Sequence, residues 1–196
     1  MYANSVHRTT RMALAAGALL LATPVIAHPG HEIATLVSGL SHPIMGFDHL
    51  LAMVAVGLLA AHQRGHLRWM LPTSFLATML TGAGMSAIGL GLPAVETGIG
   101  VSVLILGLLI ACLARLPAPM SLLMVSAFAL FHGYAHHAEM GEGSVAAFTT
   151  GFATATALLH LAGFLIARSI PSSRAGRILT VAIGSAVAAA GGFMLA

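Results

Sequence analysis

Apolar residues dominate six long runs of this chain, at about 44–61, 70–91, 95–114, 120–137, 144–167 and 177–195. Each is close to the roughly 20 residues an α-helix needs to cross the hydrocarbon of a bilayer. The breaks between them are short. His62-Gln63-Arg64-Gly65-His66-Leu67-Arg68, Arg115-Leu116-Pro117-Ala118-Pro119 and residues 168–176 carry turn formers and charge. The pattern predicts an all-α membrane protein, a bundle of six transmembrane helices. Ahead of the bundle, residues 1–27 read as a cleavable signal peptide. His7, Arg8 and Arg11 form a basic start, Met12 to Ala22 is an apolar stretch too short to span, and Val25-Ile26-Ala27 offers small residues for cleavage. Residues 28–196 then form one transmembrane domain, starting His28-Pro29-Gly30-His31-Glu32. A terminal amine beside the His28 imidazole is one way to capture a divalent metal.

Composition agrees with that class. Hydrophobic residues make up 58% of the chain and charged residues 7%, with a mean hydropathy of +0.97; an average soluble domain is about 25% charged. The basic residues are all arginines, few and scattered among apolar runs, so nucleic acid is excluded as a partner despite the net charge of +3. Their placement fixes an orientation. With the N-terminus outside, the connections after the first, third and fifth spans face the cytoplasm. These and their flanks hold Arg64, Arg68, Arg115, Arg168, Arg174 and Arg177, as the positive-inside rule requires. Glu32, Asp48, Glu96, Glu139 and Glu142 gather at the outer face. The single cysteine, Cys112, lies in an apolar run and reads as a small packing residue. Thr78-Gly82-Ser86 and Gly184-Ala188-Gly192 keep the four-residue spacing of close helix seams. A homo-oligomer is compatible with such a surface. Spans one to three and four to six have opposite directions and each set opens on a polar motif, which suggests an inverted repeat.

Those motifs carry the candidate chemistry. His42-Pro43-Ile44-Met45-Gly46-Phe47-Asp48-His49 opens the first span, and Phe131-His132-Gly133-Tyr134-Ala135-His136-His137-Ala138-Glu139 closes the fourth. Ionisable groups inside a membrane are costly and mark function. Pro43 suggests a helix start, with His42 just before it and Met45, His49 and Met53 on one face. His132, His136 and Glu139 share a face of the fourth span, while His137 points away. His49 and His132 lie about 8–10 Å below the outer helix ends at 1.5 Å per residue. Adjacent first and fourth spans would pool His42, Asp48, His49, His132, His136 and Glu139 as metal ligands. Imidazoles with a few carboxylates suit Ni²⁺, Co²⁺ or Zn²⁺. The absence of thiolates argues against Cu⁺ or an Fe–S cluster, and the absence of an all-oxygen set argues against Mg²⁺ or Ca²⁺. Met45 and Met53 read more simply as core, and His62 and His66 as solvated loop residues.

The stretch His42-x5-Asp48-His49 followed by Leu-Leu-Ala-Met, and the stretch Phe-His-Gly-x-Ala-His-x-x-Glu from Phe131 to Glu139, resemble the two signatures of the HupE/UreJ family. These are hydrogenase- and urease-accessory membrane proteins regarded as nickel or cobalt permeases. The resemblance extends over essentially the whole chain. His137 departs from it, standing where the family often has glycine. The resemblance implies uptake of Ni²⁺, or Co²⁺, through a bacterial inner membrane to supply metalloenzymes, with the metal as cargo and no permanently bound cofactor.

On this reading the acidic outer face concentrates cations, which exchange water for imidazole and carboxylate ligands between the first and fourth spans. Ligands must shed protons to bind, so affinity should fall with pH. His160 in the fifth span is a candidate later station, although a packed histidine is its simpler reading. No phosphate-binding loop with lysine is present, so the chain itself does not couple transport to ATP. Three rivals carry different chemistry: a membrane cytochrome with haem between His49 and His132, a metallohydrolase with Zn²⁺ and Glu139 as base, and a sensor or chaperone that binds without transport. The acids crowd a haem, and no His-Glu-x-x-His motif supports the hydrolase.

Overall fold

A computed structural model describes residues 33–196. The expected signal peptide and His28, His31 and Glu32 lie outside the described residues. Seven helices follow one another: α1 (Leu36–Met45), α2 (Phe47–Ala61), α3 (Leu67–Ala87), α4 (Val95–Ala111), α5 (Ala118–Glu139), α6 (Val145–Ser169) and α7 (Arg174–Met194). No strand is present among the described residues. Of these helices, α5, α6 and α7 are each long and apolar enough to cross a membrane; α1 and α2, bent by 84° at Gly46, together make a fourth such unit. Helix α4 is apolar but short, at 17 residues. Each of the six predicted apolar runs overlaps a helix. The count of six full crossings is therefore an expectation that length and composition meet for four of them.

The start of the first span differs from the sequence reading. Pro43 does not open a helix but lies within α1, in its last turns. The start signal is upstream: Thr35 accepts the Ser38 backbone N–H at 3.1 Å, while the Ser38 hydroxyl accepts the Thr35 N–H at 2.8 Å. This reciprocal pair is a capping box with serine in the usual glutamate place. The helix it starts ends where Pro43, which cannot donate to a carbonyl one turn back, weakens the ladder. Gly46 then adopts an extended conformation and α2 begins. One consequence is that Met45 is off the His49 face; it is 65% exposed.

The helices pack in an exchange-symmetric manner. The first span packs on the fifth (α2 on α6), the second on the fourth (α3 on α5), and the third on the sixth (α4 on α7). Exchanging the two halves of the chain maps the first pairing onto the second. Glycines line both of these seams. A Cβ at Gly57 would collide with the His160 carbonyl and one at Gly163 with the Val54 carbonyl; Gly82 and Gly133 stand in the same way against Leu130 and Met79. Close backbone approach of this kind drives helix association where lipid gives no hydrophobic force. The α7 seam runs through Gly184, Ala188 and Gly191, which meet Ala111, Gly107 and Leu104. Gly192, placed on it by spacing, meets nothing. The seam follows a mixed four-then-three step, as the 3.6-residue turn requires. Large apolar side chains such as Leu123, Leu158 and Ile178 face outward, as suits lipid.

Candidate metal centre

The bend at Gly46 sets the first motif. Asp48, in the first turn of α2, accepts the His49 backbone N–H at 2.7 Å, and its Oδ1 is also 2.7 Å from His49 Nδ1. A Cβ at Gly46 would lie 3.1 Å from both Asp48 Oδ1 and His49 Nδ1, so glycine leaves room for this pairing. A carboxylate only accepts, so Nδ1 carries the hydrogen and Nε2 holds the ring's lone pair. That Nε2 is buried and has no partner. Orientation of an imidazole by a carboxylate on its far nitrogen is the usual support of a metal-binding histidine.

His132 is oriented by a different device. Its Nε2 lies 2.8 Å from Ser102 Oγ on α4. Ser102 Oγ also lies 2.7 Å from the Ile99 carbonyl, and between those two oxygens only the hydroxyl can supply the hydrogen. His132 Nε2 must then donate to Ser102, which leaves the lone pair on Nδ1. That atom too is buried without a partner.

The two motifs meet through these rings. The helices α2 and α5 are not among the closely packed pairs, yet the His49 ring centroid is 4.8 Å from that of His132 and 4.0 Å from that of His136. Both nitrogens of His136 are buried and unpartnered. Among the described residues, five buried side-chain nitrogens or oxygens lack a partner, and four of them belong to this trio. An unsatisfied buried polar group costs about 1–3 kcal/mol. Three imidazoles are thus held ring beside ring with open nitrogens, while the donor atoms close enough together to share one ion are those of His42, His136 and Glu139. On a side of His136 lined by neither His49 nor His132 is a cavity of about 20 Å³, bounded also by Met79, Gly133 and Phe152, which is room for one water.

Above the trio is a mouth. His42, in the last turn of α1, places Nε2 3.1 Å from Glu139 Oε2 at the end of α5. Its ring is 4.8 Å from that of His136. His42, His136 and Glu139 each offer a donor atom, all within 4.8 Å of one another. Exposure falls inward: the Glu139 side chain is 51% exposed and that of His42 24%, while His136 is 2% and His132 0% exposed. His136 belongs to both groups and links them.

All six residues singled out by spacing are thus brought to one end of the bundle. Asp48 acts on His49 through Oδ1. His137 turns to α3, where its Nδ1 is 3.1 Å from Ser86 Oγ. His62 is not simply solvated: half-buried, it bonds the Leu58 carbonyl at 2.8 Å through Nδ1. His160 is buried below the pocket against Phe75. Ser102 escaped the sequence reading. Its one signal is weak, a lone hydroxyl in the apolar run Ile99 to Ile110.

Comparison with known proteins gives a consistent answer. Residues 15–195 match the family described as "HupE / UreJ protein". A curated relative, "Protein HupE" of Rhizobium leguminosarum bv. viciae, is 41% identical over 179 residues, covering 89% of this chain and 93% of that protein. No solved structure matches.

Proposed function

Since the chain belongs to the HupE/UreJ family, we propose that it carries a divalent transition-metal cation, Ni²⁺ first and Co²⁺ second, inward across a bacterial inner membrane for maturation of enzymes such as hydrogenase or urease. The observation that supports this most is the set of open nitrogens on His49, His132 and His136, buried together with no partner in the protein. Imidazole nitrogens favour borderline ions over Mg²⁺ or Ca²⁺. The ion arrives at an acidic end, where Glu96, Glu139 and Glu142 raise its local concentration. It is taken by His42, Glu139 and His136, and passes to His49 and His132 as its last waters leave. His136, shared by both groups, performs the hand-over. The orientation is N-terminus outside, with the chain passing the bilayer several times and its arginines at the inner face.

The test is uptake of radiolabelled nickel in cells that lack other nickel importers and express this chain. Nickel should accumulate, cobalt should compete, and magnesium at equal concentration should not. Equal inhibition by magnesium would contradict an imidazole site. Haem absorption in the purified protein would instead favour the cytochrome reading.

A further inference from the structure

Below the imidazole pocket the bundle contains a second group of donors. Met53 lies four residues after His49 on α2, so it is about 6 Å further in at 1.5 Å per residue. It is 0% exposed. Met79 on α3 is 1% exposed and Thr156 on α6 is 0% exposed. The Thr156 hydroxyl lies 3.3 Å from Met53 Sδ and 3.8 Å from Met79 Sδ. Two sulfurs and one oxygen from three helices therefore converge at one buried point.

The hydroxyl of Thr156 is fully buried and meets sulfur, unlike those of most helical threonines here. Thr73, Thr78, Thr81, Thr150, Thr154 and Thr180 all donate to the carbonyl four residues earlier, at 2.7–3.1 Å. Thr156 has no such bond and faces only sulfur, a weak acceptor. Packing alone would be served better by valine, which has the same shape and no polar group to desolvate. One turn further along α6 is His160, 4% exposed, with a buried Nε2 that has no partner. Its backbone packs on Gly57, two turns inward from His49. The Phe75 ring stands 5.9 Å from His132 and 5.1 Å from His160, spanning the same interval.

We propose that Met53, Met79 and Thr156 form an inner station for the transported cation, followed by His160 on the way to the cytoplasm. This deepens the transport reading and rests on it. The chemistry is a filter. Thioether sulfur is a soft ligand that favours transition-metal ions over Mg²⁺ or Ca²⁺, which take oxygen. A neutral, weakly binding site below a stronger imidazole site also lets the ion leave, since conduction requires each stop to be shallow enough to exit.

The experiment separates binding from passage. Purified protein in detergent is titrated with Ni²⁺ alone, and the same variants are assayed for nickel uptake in proteoliposomes. Met53→Leu and Thr156→Val, neither of which lines the cavity beside His136, should each bind Ni²⁺ at the imidazole pocket within about twofold of wild type, yet transport about tenfold more slowly. Thr156→Ser, which keeps the oxygen, should restore most of the rate. Wild-type transport by Met53→Leu and by Thr156→Val would overturn the station. So would loss of rate in Thr156→Ser equal to that in Thr156→Val, because shape and not oxygen would then be what matters. If wild-type protein binds no Ni²⁺ at all, the transport reading itself fails, a result distinct from any of these.

Discussion

Asp48 Oδ1 stands 2.7 Å from His49 Nδ1, and this pairing decides which nitrogen of His49 looks into the pocket. A carboxylate at that place holds the ring hydrogen on Nδ1 and leaves Nε2 open. The same division of labour recurs at His132, where a serine on another helix takes the place of the carboxylate.

Replacing Asp48 with alanine should free His49 to adopt either tautomer. Loss of such a support typically lowers metal affinity 10–100-fold. Nickel accumulation should fall by that order while the amount of folded protein is unchanged, and His49→Ala should abolish accumulation. Radiolabelled uptake with quantified membrane protein checks both.

Ser102→Ala should act on His132 in the same manner, weakening nickel binding about tenfold. Ser102→Thr keeps the hydroxyl and should retain most of the affinity. Equilibrium dialysis with nickel on the purified variants reads the difference.

His137→Gly should leave uptake within about twofold of wild type, since its Nδ1 is engaged with Ser86 on α3 and a lost exposed or half-buried side-chain bond contributes only about 0.5–1.5 kcal/mol to the fold. His136→Ala, one residue away, should abolish uptake. Running the two side by side tests whether the pocket or the local sequence matters.

Stability should follow the glycine seams. Gly57→Val and Gly163→Val place side chains against the backbone of the facing helix, and overpacking of this kind costs about 1–3 kcal/mol or more. Gly84→Ala and Gly192→Ala meet open space and should be neutral. Thermal unfolding in detergent distinguishes the two classes.

Much of this arrangement was legible in the sequence. Runs of apolar residues and the positions of Arg64, Arg115 and Arg168 gave the helices and set acids at one end and arginines at the other. The spacing His132–His136–Glu139 gave one helix face, and topology put both motifs at the same end; their pooling was expected from adjacent first and fourth spans, which are not a closely packed pair. What escaped had a physical cause in each case. Pro43 reads as a helix start because most prolines early in a helix are at its first turn, and the serine-based capping box at Thr35 is a weaker signal than one with glutamate. Ser102 and Thr156 are single hydroxyls in apolar runs, and their partners are on other helices. No periodicity within one segment reports a contact between α4 and α5 or among α2, α3 and α6. The separation of α2 and α5, across which the His49 ring meets His132 and His136, was also unreadable: helical spacing reports faces and not how far apart two helices stand.

The most direct test is the X-ray absorption spectrum of purified protein loaded with one equivalent of nickel. The account predicts nickel bound by at least two imidazoles, a signal that disappears in His49→Ala and His132→Ala but persists in His137→Gly. A spectrum of oxygen ligands alone, or an imidazole signal untouched by His49→Ala and His132→Ala, would contradict it.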